Sequence, residues 1–578
     1  MRISASGKTR QTMGTFLLCL LLIIPGSATY SRAGDESKTL TEEEKIVHVL
    51  NRLGFGPRPG DIEKVAAMGL EAYIEQQLQP QEIPDPVMEE RLSSFKTLKM
   101  TPKELAEFYP APNRLRNKRQ KLQAERPDEG ARNSPQMEGE SVPETTREMQ
   151  EARRQMRASL QRIRFEFSEA KIMRAVYSER QLQEVMSDFW MNHFNVFLAK
   201  GLDRVYTTDF EENVVRPLAL GKFEDLLMAT AKSPAMLYYL DNWISTAPAE
   251  VMEKRVSALR NRLRSQRRKG TGGQQAERAL LRLLQRAKGL NENYARELME
   301  LHTLGVDGGY SQEDVIQVAK CLTGWTIRAP RQGGSFQFRP VLHEDGNKVV
   351  LGHRIRSGGI EEGEQVLRML ANHPSTARFI STKLVRRFVA DDPPPDLVDA
   401  ASLTFEKTGG DLREVLRTLF THPHFFSPKV YQAKIKKPLE LVASALRASG
   451  AEMKPARHLV RMLAEMGEAL YLCQEPTGYP DVASAWINTN SLLKRLNFAL
   501  ALASDRIPQI RVDLESAWPL FQQLRLPEPS AQQLEQTRSL LGQVGEEENQ
   551  RGDLRPARFP KQVIASAFML GSPQFQKR

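Results

Sequence analysis

The chain has 578 residues, of which 40% are apolar and 26% charged, and its formal net charge is +11. This balance excludes a wholly disordered polypeptide, and the length suffices for one large core or for two or three domains.

The N-terminal segment is unlike the rest. Arg2, Lys8 and Arg10 precede an apolar run from Phe16 to Ile24, and small residues follow, in segments ending at Ala28 and Ala33. That order is the order of a secretory signal peptide, expected to span residues 1–33 and to be cleaved. The run is too short to span a bilayer comfortably. Leu18 stands before Cys19 where a lipoprotein signal wants a small residue, and no twin-arginine pair is present. The mature chain is therefore expected to be exported, to the periplasm, the outer envelope or the medium. Any metal or ligand would be acquired after export.

Helical period dominates from there. Ile62, Val65, Leu70, Ile74 and Leu78 recur near one face, and "TARFISTKLVRRFV" and "DLREVLRTLFTHPHFF" read the same way. Three charge-rich stretches, at about 112–155, 245–289 and 525–556, read as inserts that are solvated helix or disordered loop. The middle one concentrates the positive charge: from Glu253 to Lys288 it holds twelve Lys or Arg against two Glu. Val256, Leu259 and Leu263 recur there at helical spacing, so weak contact with an anionic membrane surface is one expected property. Export makes nucleic acid an unexpected partner, and no base-reading motif accompanies the charge.

Strand signal is confined to one region. Phe336 and Phe338 alternate with polar residues, and 349–351 could pair with them through a turn at Gly346, which predicts one small β-hairpin. The predicted class is thus mainly α: a large multi-helix domain over 40–578 with one hairpin and charged inserts. A Ser-Pro or His-Pro step followed by an apolar residue recurs in "TAKSPAMLYYL", "FTHPHFFS" and "LGSPQFQKR", and reads as helix-stop punctuation. Cys321 and Cys473 read as small core residues, with a bridge between them as the less favoured alternative.

Two helices carry unusual polar stripes. In "SDFWMNHFNVF", Asp188, Asn192 and Asn195 fall at i, i+4 and i+7 among Phe, Trp and His193. In "NENYARELMELHTLG", a helix is expected over 291–304, closed by Gly305 and a contact of Val306 with Leu301. Asn293, Glu297 and Glu300 share one stripe of that helix, with Arg296 beside it. His302 lies well around the helix from the glutamates, so one ion cannot meet all three on a straight helix. If the two stripes face each other inside the fold, the polar groups must pair or bind something.

Two readings follow. In the first, Asp188, Asn192, His193, Asn293, Glu297, Glu300, His302, His343 and Glu344 hold a metal or small ligand, with Glu297, Glu300 and His343 as candidate catalytic groups. Carboxylate and amide oxygens favour Ca²⁺, Mg²⁺ or Mn²⁺, and His193 or His343 would admit Zn²⁺ or iron. His343, beside Glu344 and Asp345 in the hairpin region, could act as general base or ligand, or be an ordinary turn histidine. In the second reading the same residues form a packing network in a non-catalytic envelope or surface-assembly protein, with Arg296 paired to Asp188 or Glu297. No zinc-protease, di-iron, nucleophile-elbow, P-loop or dinucleotide motif is present. Gly478, Tyr479, Pro480 and Trp486 form an aromatic loop that either stacks on sugars or packs over helix ends.

Taken together, "HVLNRLGFGPRPGDIEKV", "SDFWMNHFNVF", "NENYARELMELHTLGVDGGYSQEDV", "HEDGNKVVLG", "KPLELVASALRASG", "PTGYPDVASAWINTNSLLKRLNFALA" and "SPQFQ" resemble, in this order, the exported bacterial DUF1800 family, a domain of unknown function. The resemblance runs from about His48 to the C-terminus outside the inserts. It implies export and, as a partner, another exported protein encoded nearby; it implies no activity. Two positions depart from the family pattern. Met191 replaces the first histidine of "FWHNHF", which weakens a His-x-His pair, and Glu344 replaces an aspartate.

Overall fold

The computed structural model describes residues 39–108, 144–267, 289–537 and 560–578. The expected signal peptide and the middles of all three inserts lie outside these residues. What is described is mainly α, with helices linked by short turns and three small two-stranded antiparallel sheets.

A long helix, Glu144–Tyr177, buries Ile163, Phe167, Ala170, Met173 and Val176, and packs against Pro438–Ala448. Every residue of Pro438–Ala448 is buried. Its apolar run is therefore the centre of the core, and its Glu440 and Arg447 must find partners inside the protein. One continuous set of buried apolar side chains joins residues from Ile46 to Phe575.

Local chemistry explains the element boundaries. Thr41 and Glu44 form a capping box at the start of Glu42–Arg52, and Ser311 and Asp314 form the expected one before Gln312–Cys321. The Ser-Pro and His-Pro steps end one element by starting the next. Ser233, His373 and His422 accept hydrogen bonds from the backbone N–H two residues on, with proline at the first helical position. Ser572 accepts likewise from the N–H of Phe575.

Three expectations are corrected. The predicted single hairpin is two: Trp325–Arg328 pairs with Ser335–Phe338, and Lys348–Val350 pairs with His353–Ile355. The alternation at Phe336 and Phe338 was legible, but its partner is the strand before it, because Pro340 opens a 3-10 turn that separates the two ribbons. The middle insert begins later than its charge suggests. Helix Ala249–Arg267 buries Met252 against Ala247 and Leu342, and Arg255 donates to the carbonyl of His343 at 2.5 Å and pairs with Asp345. Val256 is buried too. Val306 is 69% exposed, so it does not close the 293–303 helix against Leu301. Cys321 and Cys473 are buried free thiols.

Candidate functional site

The helix carrying Asp188 (Gln181–His193) is buried along almost its whole length. Its polar stripe is consumed residue by residue. Asp188 sits between two lysines, the largely covered Lys171 at 2.9 Å and the buried Lys437 at 3.3 Å. Burial alone would raise its pKa, but Lys171, then Lys437 and Arg387, outweigh burial and hold the carboxyl well below the usual range. The network continues through the first turn of Pro438–Ala448. Glu440 accepts from the backbone N–H of Lys437 at 2.8 Å and pairs with Arg387 and Arg578, and Glu468 accepts from the N–H of Leu439 at 2.7 Å.

Asn192 and Asn195 clamp a loop. Asn192 Oδ1 accepts from the N–H of Tyr479 at 2.7 Å and its amide donates to the Tyr479 carbonyl at 2.8 Å. Asn195 donates to the carbonyls of Cys473 and Glu475. Gly478 closes this contact with φ +70°, and a Cβ there would lie 2.2 Å from the Asn192 carbonyl oxygen. The aromatic loop packs rather than projects. Trp486 is buried and donates to the Pro480 carbonyl, and Tyr479 donates to the carbonyl of Ala469.

The second polar helix changes pitch midway. Asn293–Glu297 is α-helical, but Leu298–Thr303 is a π segment, in which the N–H of Leu304 reaches the carbonyl of Met299 and Thr303 Oγ1 donates to the Leu298 carbonyl. Such a widened turn is a frequent mark of functional sites. Here it sets His302 into the interior, while Glu297 and Glu300 stay half-buried and Asn293 is exposed.

The two helices do meet, through histidines and not through the stripes. His193 and His302 are both buried, with ring centroids 6.0 Å apart. Lys383 of helix Pro374–Phe388 completes the junction, its Nζ 2.8 Å from His193 Nδ1, while His193 Nε2 lies 3.2 Å from the His302 carbonyl. An ammonium can only donate and a carbonyl can only accept, so this geometry selects neutral His193 protonated at Nε2. Phe189, Phe194 and Phe379 surround the rings. Burial, then Lys383, lowers the pKa of both histidines, that of His302 to about 3. Burial, then Arg386, lowers Lys383 to about 8, against a raising influence of Asp481. Chemically, the junction is a neutral imidazole beside an easily deprotonated amine.

Arg296 does not form the expected pair. Asp188 is already held by lysines, and Arg296 lies partly exposed against Glu292 at 3.4 Å and Gln312 at 2.8 Å. Glu297 has a raised pKa, through burial and then repulsion from Glu300, with Arg296 opposing.

His343 belongs to a separate buried centre. Its Nδ1 is 2.8 Å from the Thr323 carbonyl and its Nε2 3.0 Å from Glu362 Oε1. Thr323 Oγ1 also lies 3.1 Å from Nδ1, so both ring nitrogens are engaged by groups of the protein itself. Glu362 also receives Lys348 Nζ at 2.5 Å and the N–H groups of Gly358 and Gly359. Burial raises its pKa, but the hydrogen bonds from His343, Lys348 and Gly358 outweigh burial and hold it at about 2. The backbone N–H of Glu344 donates to Thr323 Oγ1, and its carboxylate faces Lys320 at 3.7 Å.

Sequence reasoning missed Lys171, Lys383, Lys437 and Glu362. A signal existed for Lys383: Ile380, Lys383, Leu384 and Arg387 follow the spacing of a core-facing stripe, with two cations at positions where apolar residues are expected. Among the described residues, no three His, Cys, Asp or Glu side chains gather to hold a metal ion. No curated protein and no solved structure matches the chain. Residues 48–577 match the model of the family described as protein of unknown function (DUF1800), and the chain belongs to that family.

Proposed function

We propose that the protein is an exported, non-catalytic component of the cell envelope or of a surface assembly, in which Asp188, Asn192, His193 and Asn195 are internal struts. The observation that carries this reading is Asp188. Both of its oxygens are taken by lysines inside the fold, and the same network fixes the first turn of Pro438–Ala448 at the centre of the core. A partner encoded nearby and also exported fits this role, as does weak contact of the arginine-rich insert with an anionic surface. The test is a contrast between two substitutions. Asp188→Asn leaves two ammonium groups inside the fold facing an amide and is expected to cost about 3–5 kcal/mol. Arg296→Ala, at a partly exposed surface pair, is expected to cost less than about 0.5 kcal/mol. Equal, small losses would overturn the reading.

A second reading, a site for a hard divalent cation, is favoured by one observation. Glu297 is half-buried and repelled by Glu300, a pair that a cation would stabilise. With only two carboxylates, backbone carbonyls and water would have to complete the shell.

A further inference from the structure

A cavity of about 310 Å³ lies where helices Asp61–Met68 and Leu70–Leu78 meet the turn at 178–181 and the end of Pro438–Ala448. It takes no part in the network around Asp188. Its charged lining comes from two stretches with no role so far: Arg58, Asp61 and Lys64 from "GPRPGDIEK", and Arg447 from "ALRASG". Glu179 completes the set, so three cations face two carboxylates and the lining carries one excess positive charge.

Most of these groups are already committed. Arg447 donates to the carbonyls of Gly56 and Val176 and pairs with Asp61 at 3.0 Å. Gln77 and Gln181 are spent on backbone partners. Tyr73 is different. It is 7% exposed and lines the cavity, and its hydroxyl makes no hydrogen bond to any described residue. The ring is buried while the hydroxyl stays open to the cavity, so it is free to donate to an acceptor bound there.

Glu179 shows which acceptor the cations prefer. Its carboxylate bridges Arg58 at 2.5 Å and Lys64 at 2.9 Å, and its side chain is 35% exposed. Arg58 and Lys64 thus already hold a carboxylate from the rim. Leu50, Val65, Ile83 and Pro84 give the remaining wall an apolar character.

We propose that this cavity binds a small organic monocarboxylate, whose charged end takes the Tyr73 hydroxyl and Arg58 and whose apolar body lies against Leu50, Val65 and Ile83. Glu179 is the internal competitor for that position. The carboxylate that Arg58 and Lys64 already hold is the template for that end, and the apolar wall suits an organic body in preference to a bare phosphate. The volume lies at the lower end of the range for small-molecule sites.

The test is calorimetric titration of the mature full-length protein with benzoate, with benzamide as its neutral twin, and with inorganic phosphate. Benzoate is expected to bind one per chain, and benzamide and phosphate at least about tenfold more weakly, the factor set by a charge-assisted hydrogen bond. Tyr73→Phe is expected to weaken benzoate about tenfold at an unchanged melting temperature. Glu179→Gln is expected to tighten it by removing the competing carboxylate. Should Tyr73→Phe disturb folding, Lys64→Gln, at a half-exposed side chain, gives the same direction of effect. Equal binding of benzamide, tighter binding of phosphate, or no binding of benzoate to either the native or the Glu179→Gln protein would each overturn the proposal.

Discussion

Glu362 offers the sharpest test of how the buried polar residues act. The substitution Glu362→Gln preserves shape and keeps an oxygen for the N–H groups of Gly358 and Gly359, but removes the charge shared by His343 and Lys348. Lys348 is 2% exposed at its side chain, so its ammonium would be left facing a neutral amide without water. The carboxyl titrates at about 2 in place of its ordinary 4.5. That difference corresponds to roughly 3 kcal/mol of stability at neutral pH, and stranding the lysine brings the expected loss to about 3–5 kcal/mol. The pH dependence has a defined sign. A carboxyl whose folded pKa is depressed stabilises the fold above its unfolded pKa, and the contribution is lost as pH falls from about 4.5 toward 2. Urea unfolding followed by circular dichroism, at neutral pH and through that window, measures both effects. Glu362→Gln should unfold at much lower urea at pH 7 and should lose less stability than the native protein across the window. Adding Lys348→Met should recover much of the difference, since replacing both charges removes the stranded one. A loss under about 0.5 kcal/mol, the range of ordinary surface substitutions, would refute the reasoning.

Two further outcomes are expected. His302 titrates near 3 in the folded state because it is buried and faces Lys383, so the unfolded chain takes up its proton first and stability falls as pH drops from about 6.5. His302→Leu leaves the carbonyl that receives His193 in place and should flatten acid unfolding between pH 6.5 and 4.5; an unchanged profile would contradict the assignment. Gly478→Ala combines a left-handed backbone with a Cβ 2.2 Å from the Asn192 carbonyl oxygen, and should cost about 2–3 kcal/mol in urea unfolding. A tolerated alanine would show that the Asn192 clamp does not hold the loop.

The helical class, the capping box at Ser311 and the buried setting of the Asp188 helix were legible because each rests on local periodicity or on residues three or four apart. The left-handed glycine at 305 was legible for the same reason. What was not legible depends on distance along the chain. Lys437 reaches Asp188 across 249 residues, and nothing in the "KPLE" step announces it. The π segment at Leu298–Thr303 cannot be read from a 100° periodicity, yet it decides that His302 turns inward and the glutamates do not. Two narrow stripes flanked by bulky residues allow, but do not require, that they face one another. In fact the polar residues of the Asp188 segment meet three different partners: Asp188 the lysines, Asn192 and Asn195 the 473–479 loop, and His193 Lys383. The hairpin partner was missed because the pairing strand, Trp325–Arg328, lacks alternation: three of its four residues are buried.

The claim that these polar residues are internal struts and not a metal centre is tested most directly by elemental analysis of the folded protein purified without chelator. The account predicts less than about 0.1 equivalent of any divalent metal per chain and a melting temperature that chelator does not change. One equivalent of metal, lost in Glu297→Gln, would contradict it.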